Sequence, residues 1–543
     1  RLAGRDDQAL AIYRSLAIEE AEQPEGSLSA ETLEAWAATG TALALLSNED
    51  RLRRFERLLQ RGRAAEALDE AERLAGPTPA GGADPSVLLQ ALALAGQGRL
   101  AEAAELARPL AEAGEPELRR GAAWILARTA ARAGRIEEAT ARYAAVAGSE
   151  ASIPGLGDPR SRELSDEAAY LAAWLWYDGG QFHRATQRLD AFARARPASP
   201  RLDDARWFAA WSAYRAGDRG GALARLARLE TGPLADAALY WGGRLGGGSA
   251  LARERLRRAA RIGGEGWYGW LARRRLERLG ASPPLVPAVE PREAAPVDGA
   301  ALQRLRAASA LFGLGHRDGA VLALTALAHR AAPRATALEV CRLASFAGEP
   351  ALALRVARDL LGQTRATERW LHPLAFDDLL APAARGAGFD EPLLLALVRR
   401  ESGFRPRAVS SAGAIGLGQL LPRTASRLGQ LAALAHDPAG RLADPATNLS
   451  LSALYLGLLL DRFGSDAGAV AAYNAGPAPP AAWATQRAGQ PLDEWVENVP
   501  YKETRVYLKN VLAAREVYRR LTGGPPQLDP AAPVPAPGAG VAF

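Results

Sequence analysis

Glu401 is the residue of this sequence best placed for proton chemistry. It lies near the end of the stretch 390–403, DEPLLLALVRRESG, which reads as a helix opened by Asp390 and Pro392. Leu393, Leu394, Leu397 and Val398 form one apolar stripe, and Glu401 continues it into the last turn. Ser402-Gly403 ends the helix with a glycine suited to a left-handed residue. The negative end of the helix dipole and the leucines' exclusion of water both disfavour an ionised carboxylate there. A carboxyl that stays protonated near neutral pH is what a general acid requires. The same spacing also permits a side chain that bends out to solvent, so Glu401 alone decides nothing.

Further groups follow in order. Ser410 precedes Gly416-Leu417-Gly418-Gln419, after which come Ala472-Tyr473-Asn474-Ala475-Gly476 and Asn498-Val499-Pro500-Tyr501-Lys502-Glu503-Thr504-Arg505. Taken singly, each has a plain structural reading. Tyr473-Asn474 before Ala-Gly-Pro can be a helix end, Glu503 an ion pair with Lys502 or Arg505, and Gly416 with Gly418 a tight turn. GAIGLGQ is not a phosphate loop, because it lacks the Lys-Ser/Thr and a preceding strand. Phe404, Trp483, Trp495 and Tyr501 are either core or faces for sugar stacking. Asp461, Asp466, Asp493 and Glu494 read as solvated charges.

In this order and spacing, Glu401-Ser402 and the three later motifs resemble those of the soluble lytic murein transglycosylases, which have a goose-type-lysozyme-like catalytic domain. The resemblance is strong over 383–522 and weaker upstream, where GEGWYGWLARRRLERLG is similar to the close of that family's helical superhelix. It implies that Glu401 is a single catalytic acid and base. Ser410 and Gln419 would hydrogen-bond near it or to the sugar, and Tyr473, followed by Asn474, would orient it. Glu503 would be a second carboxylate lining the groove. The implied reaction is non-hydrolytic cleavage of the β-1,4 bond between N-acetylmuramic acid and N-acetylglucosamine in peptidoglycan, in the periplasm or cell envelope. Peptidoglycan glycan strands would be the partner, and the superhelix their guide. The alternatives are a lysozyme-like hydrolase of the same fold and an inactive glycan-binding scaffold. One departure is that the family usually has Met at the position of Gly418, and often another at Leu421. A wider or looser groove floor is the expectation.

Composition agrees with this reading. The 543 residues are 48% hydrophobic and 24% charged, enough for about three or four domains. No apolar run is long enough to span a bilayer. The net charge of +6 is carried almost wholly by arginine, with Lys502 and Lys509 the only lysines, and suits an anionic polymer. Arginines interleaved with aromatics are missing, which argues against nucleic acid. The lone Cys341 excludes an internal disulfide, and no His/Cys/Asp cluster has metal spacing, so no metal or cofactor is assigned. The chain starts at Arg1 without a leader-like segment, as after removal of a signal peptide or after trimming.

The elements that must carry these residues read as helices almost throughout, so an all-α fold is predicted. Helix pairs recur around Gly98, Gly134, Gly180 and Gly217, spaced 36, 46 and 37 residues apart, each with an alanine five residues on. This resembles a tetratricopeptide-like superhelix, with Trp174, Trp176, Trp207, Trp211, Tyr240 and Trp241 as inter-repeat core. The expected domains are a superhelix at 1–280, a proline-rich linker at 281–298, a small helical domain at 299–382 and the catalytic domain at 383–522. A disordered tail at 523–543 completes the chain.

Overall fold

The computed structural model describes residues 6–539 apart from 22, 39–45, 75–83, 285–296, 330–331, 365 and 435. Most of the predicted linker therefore lies outside the described residues. The chain divides into two compact units, 1–233 and 234–543. Among the described residues the structure is helical, with only isolated bridges such as Val409 to Ile415 and Ile415 to Leu420.

The first unit is built from helix hairpins, and the glycine turns explain why. Gly98, Gly134, Gly180 and Gly217 all have φ between +73° and +85°, which a side chain would oppose. In each turn the residue after the glycine donates back into the preceding helix, as Arg99 does to Leu94 (3.0 Å) and Gln181 to Trp176 (2.8 Å). These are Schellman closures, which satisfy carbonyls that the helix end leaves open. The alanine five residues on (Ala103, Ala139, Ala185, Ala222) is fully buried every time, because only a small side chain lets the two helices approach. Trp176 and Trp211 are buried as predicted, and Trp207 stacks on Trp211.

In the second unit the helices that matter to the site are α1 (Ala235–Leu245), α2 (Ala250–Ile262), α3 (Trp267–Arg278), α4 (Glu391–Glu401), α5 (Pro445–Phe463), α6 (Asp466–Ala475), α7 (Leu492–Glu497) and α8 (Lys502–Leu521). Helix α8 is the axis against which α3, α4, α6 and α7 pack. The superhelix is expected to end at 280, and α1–α3, which precede that point, lie in the same compact unit as α4–α8. Buried polar contacts hold them there. The Tyr240 hydroxyl donates to Asp493 and the Tyr268 hydroxyl to Glu497, each at 2.5 Å. Lys509 bridges Glu497 (2.8 Å) and the Tyr268 oxygen (2.7 Å), while Arg244 and Arg275 pair with Asp493. Tyr240 is fully buried and packs on Trp241 and Tyr268 while its hydroxyl makes the Asp493 contact, and Asp493, read as solvated, is completely buried. Asp466 is likewise paired, with Arg515, and Glu494 with Arg244.

The predicted disordered tail is also corrected. Residues 523–539 are described and fold back, with Leu528 and Val534 buried. The chain there bonds to the start of α7 through Leu492 N–H to the Ala532 carbonyl (2.8 Å) and Val534 N–H to the Gln490 carbonyl (2.9 Å). Proline removes donors and discourages helix, but an extended strand needs neither helix nor a complete ladder.

Candidate active site

Helix α4 is buried on all sides from Pro392 to Val398, so its axis is fixed by packing rather than by local propensity. It ends as predicted: Ser402 caps it through its N–H to the Val398 carbonyl, and Gly403 has φ +58°. Phe404 follows with φ +64° and only 1% exposure. Two successive left-handed residues turn the chain sharply and anchor it with a buried ring, leaving Glu401 at a rigid corner. Asp390 does not cap the helix start; its carboxylate pairs instead with Arg515 and Arg519 of α8, which clamps α4 to α8 at the far end.

The Glu401 carboxyl is only partly exposed, and its Oε1 accepts a hydrogen bond from the Tyr507 hydroxyl at 2.5 Å. Burial raises its pKa to about 7, against the opposing pull of the Tyr507 hydrogen bond and the Arg400 charge; the nearby Glu503 charge pushes the same way as burial. Glu401 thus holds its proton near neutrality while carrying a partner for its ionised form. Burial and the Glu401 charge raise the Tyr507 pKa well above the usual phenol range, so it stays a donor.

The other predicted residues surround this carboxyl with different tasks. Tyr473 does not hydrogen-bond Glu401. Its hydroxyl donates to the Gly418 carbonyl at 2.8 Å, although its ring is close enough for the Glu401 charge to act on it. Gln419, itself left-handed at φ +51°, ties its loop through Nε2 to the carbonyls of Ala408 (3.1 Å) and Gly416 (2.9 Å). Ser410 accepts from the Ala414 N–H at 3.0 Å and closes the turn ahead of that loop. Asn474 accepts from the Thr504 hydroxyl at 2.7 Å, pinning the start of α8 to the end of α6. Glu503 is exposed in the first turn of α8, one helical turn before Tyr507. Ser410, Gln419 and Asn474 therefore shape the loops, while Glu401, Tyr507 and Glu503 bring the ionisable groups together.

Sequence reasoning missed three of these partners. Tyr507 stands four residues after Glu503 on α8, and that spacing, which puts two residues on one helix face, was the available signal. Asn448, fully buried on α5, accepts from the Gly418 N–H (2.8 Å) and donates to the carbonyls of Ile415 and Leu442 (2.9 Å each); nothing local marks it. Ser452, one turn further on, is the third. A Cβ on Gly418 would lie 2.0 Å from Ser452 Oγ and 2.9 Å from the Tyr473 hydroxyl. The glycine therefore corrects the expected wider floor: it is required by close packing, and the Ser452 and Tyr473 hydroxyls fill the space. Of the candidate stacking aromatics, Trp495 and Phe404 are core and Trp483 is buried, whereas Tyr501 is 52% exposed and packs edge-on against Trp483.

The profile of the transglycosylase SLT domain family matches residues 378–496. A soluble lytic murein transglycosylase of Escherichia coli is 36% identical over 174 residues, which are 30% of this chain and 27% of that protein. A putative soluble lytic murein transglycosylase of Haemophilus influenzae is 33% identical over 151 residues, 27% of this chain and 26% of the other. The chain thus matches only about a quarter of these relatives' length. Folds agree much further. The 70 kDa soluble lytic transglycosylase of E. coli superposes with a TM-score of 0.66 at 23% identity, covering 96% of this chain and 80% of that one. An inactive variant of the Pseudomonas aeruginosa lytic transglycosylase gives 0.60 at 22% identity, covering 93% and 86%. The corner that presents Glu401 therefore lies in a transglycosylase SLT domain, within a chain that has the helical fold of the soluble lytic transglycosylases.

Proposed function

We propose that this chain cleaves the β-1,4 bond between N-acetylmuramic acid and N-acetylglucosamine in peptidoglycan, without water, outside the cytoplasm in the periplasm or cell envelope. The observation that carries this reading is a partly enclosed carboxyl with a pKa of about 7 whose contacting partner is a single tyrosine. Protonated Glu401 gives its proton to the glycosidic oxygen as the bond to C1 of the muramic acid breaks. A partner carboxylate at the usual separation would be needed for the two-carboxylate routes, whereas a substrate acetamido group can stabilise C1 in its place. Glu401, now ionised and steadied by the Tyr507 hydroxyl, takes the proton of the same sugar's C6 hydroxyl as that oxygen closes onto C1. A 1,6-anhydro ring results, and Glu401 is protonated again. An internal hydroxyl outcompetes water because well-oriented groups reach effective concentrations of roughly 10⁵ M or more.

Glu503 and Tyr501, both exposed near the start of α8, would line the groove, one for the peptide stems or their cations and one for a sugar face. The repeat unit would guide glycan strands. No helix among the described residues is long and apolar enough to cross a membrane. Incubation with purified sacculi tests the reading. Wild type is expected to release fragments with anhydro ends, lighter by one water than hydrolysis products, and Glu401→Gln to release none. Reducing ends from wild type would instead mark a lysozyme-like hydrolase, and binding without turnover in both would mark a scaffold.

A further inference from the structure

A half-open pocket of about 270 Å³ lies among α3, α8, the end of α4 and residues 358–363 and 371–372, and Glu401 is not among its lining residues. Its charged walls are unequal. Glu265 already meets Arg273 and Arg520, each at 3.5 Å, and Arg358 meets Asp359 at 2.8 Å. Arg399 has no such answer. Its Nε donates to the Leu371 carbonyl at 2.6 Å, and no carboxylate is among the groups whose charge acts on it, which are Tyr518, Arg358 and Arg400. The rest of its guanidinium has no protein acceptor among the described residues. A largely enclosed cation without a counter-charge is costly to desolvate, and an external anion would offset that cost.

The surroundings favour such an anion. Helix α3 starts at the pocket with Gly266, whose end has no side-chain cap, so first-turn N–H groups remain available. Buried His372 lines the wall, and its Nδ1 has no hydrogen-bond partner among the described residues. Arg358 and Gly362 of the lining belong to a π-helical turn, Ala357–Leu361, which ends at Gly362 with φ +70°. Such turns are rare and recur at functional sites.

We propose that this pocket binds a single carboxylate, held bidentately by the Nη1 and Nη2 groups of Arg399. The volume suits a carboxylate with a short tail, which is either a small free acid or the terminal residue of a peptide. Calorimetric titration of the full chain with sodium acetate, N-acetyl-D-alanine and N-acetyl-D-alaninamide, at constant ionic strength, tests this without any turnover. The two acids are expected to bind saturably and the amide not at all. Tighter binding of N-acetyl-D-alanine would identify a peptide end, and equal binding a free acid.

Arg399→Met should weaken the acids at least about tenfold. Asn510→Asp, which adds negative charge at the mouth and leaves the Arg399–Leu371 bond in place, should weaken them too. Without ligand, Arg399→Met should melt no lower than wild type, and added N-acetyl-D-alanine should raise the wild-type melting temperature alone. Absence of saturable binding by either acid overturns the proposal, as does binding unchanged in both variants. A melting loss in Arg399→Met that is the same with and without the acid would mean that Arg399 serves only to hold Leu371.

Discussion

Two glutamates of the second unit each accept a tyrosine hydroxyl at 2.5 Å, Glu401 from Tyr507 and Glu497 from Tyr268. What differs is the cation. Glu497 also has the Lys509 ammonium at 2.8 Å and is sealed at 3% exposure. Glu401 has no ion-pair partner among the described residues and keeps an opening to solvent. Tyr507 and Lys509 are two residues apart on α8, so one helix supplies the donor for each carboxyl from different faces. A buried carboxylate given a cation is a fastener; one given only a neutral donor can exchange its proton. The same helix thus supports a structural joint and a carboxyl that can hold or release its proton near neutrality.

The comparison can be broken most sharply at Glu401. Glu401→Gln keeps the Tyr507 contact but has no proton to give, and turnover of sacculi should fall by about 10³-fold or more. The fastener is next: Lys509→Met strands Glu497 without its cation, and denaturant unfolding should show a loss of roughly 3–5 kcal/mol. Glu401→Gln should have the opposite effect on stability. Because the folded pKa is raised, the folded protein keeps a proton that the unfolded chain releases between pH 4.5 and about 7, so native stability falls as pH rises through that window. At pH 8 the substitution should therefore stabilise the fold by up to about 3 kcal/mol, an advantage that vanishes near pH 4.

Gly418→Met should cost roughly 1–3 kcal/mol by overpacking against Ser452 and Tyr473, and adding Ser452→Gly should recover most of it. The smallest effect is expected from Tyr507→Phe. Loss of one hydrogen bond to the ionised carboxylate should lower kcat about tenfold and move the alkaline limb of the pH–rate profile, set near pH 7 in wild type, to higher pH.

Whatever is local in this fold was readable from the sequence. The Gly98, Gly134, Gly180 and Gly217 turns need a left-handed residue and a small neighbour, and both requirements are written within six residues. The corner after Glu401 is local too, with Gly403 where the helix must stop. What could not be read depends on distant partners. Tyr507 reaches Glu401 across 106 residues, Tyr240 reaches Asp493 across 253, and Asn448 supports Gly418 from 30 residues away. Tyr473 was assigned the bond to Glu401, but two tyrosines approach the same carboxyl and only the packing of α6 against α8 decides which hydroxyl arrives. The tail was misjudged for a related reason: its prolines exclude helix, while the groove beside α7 that accepts an extended strand is invisible in the tail itself.

The packing around Gly418 also bears on chemical durability. Where the resembling family has a thioether, this chain has a glycine under the Ser452 and Tyr473 hydroxyls, and the 543 residues contain no methionine at all. The remaining sulfur, Cys341, is fully buried, with its pKa pushed up to about 12. Peroxide or hypochlorite finds no exposed sulfur here to convert to a sulfoxide or sulfenic acid.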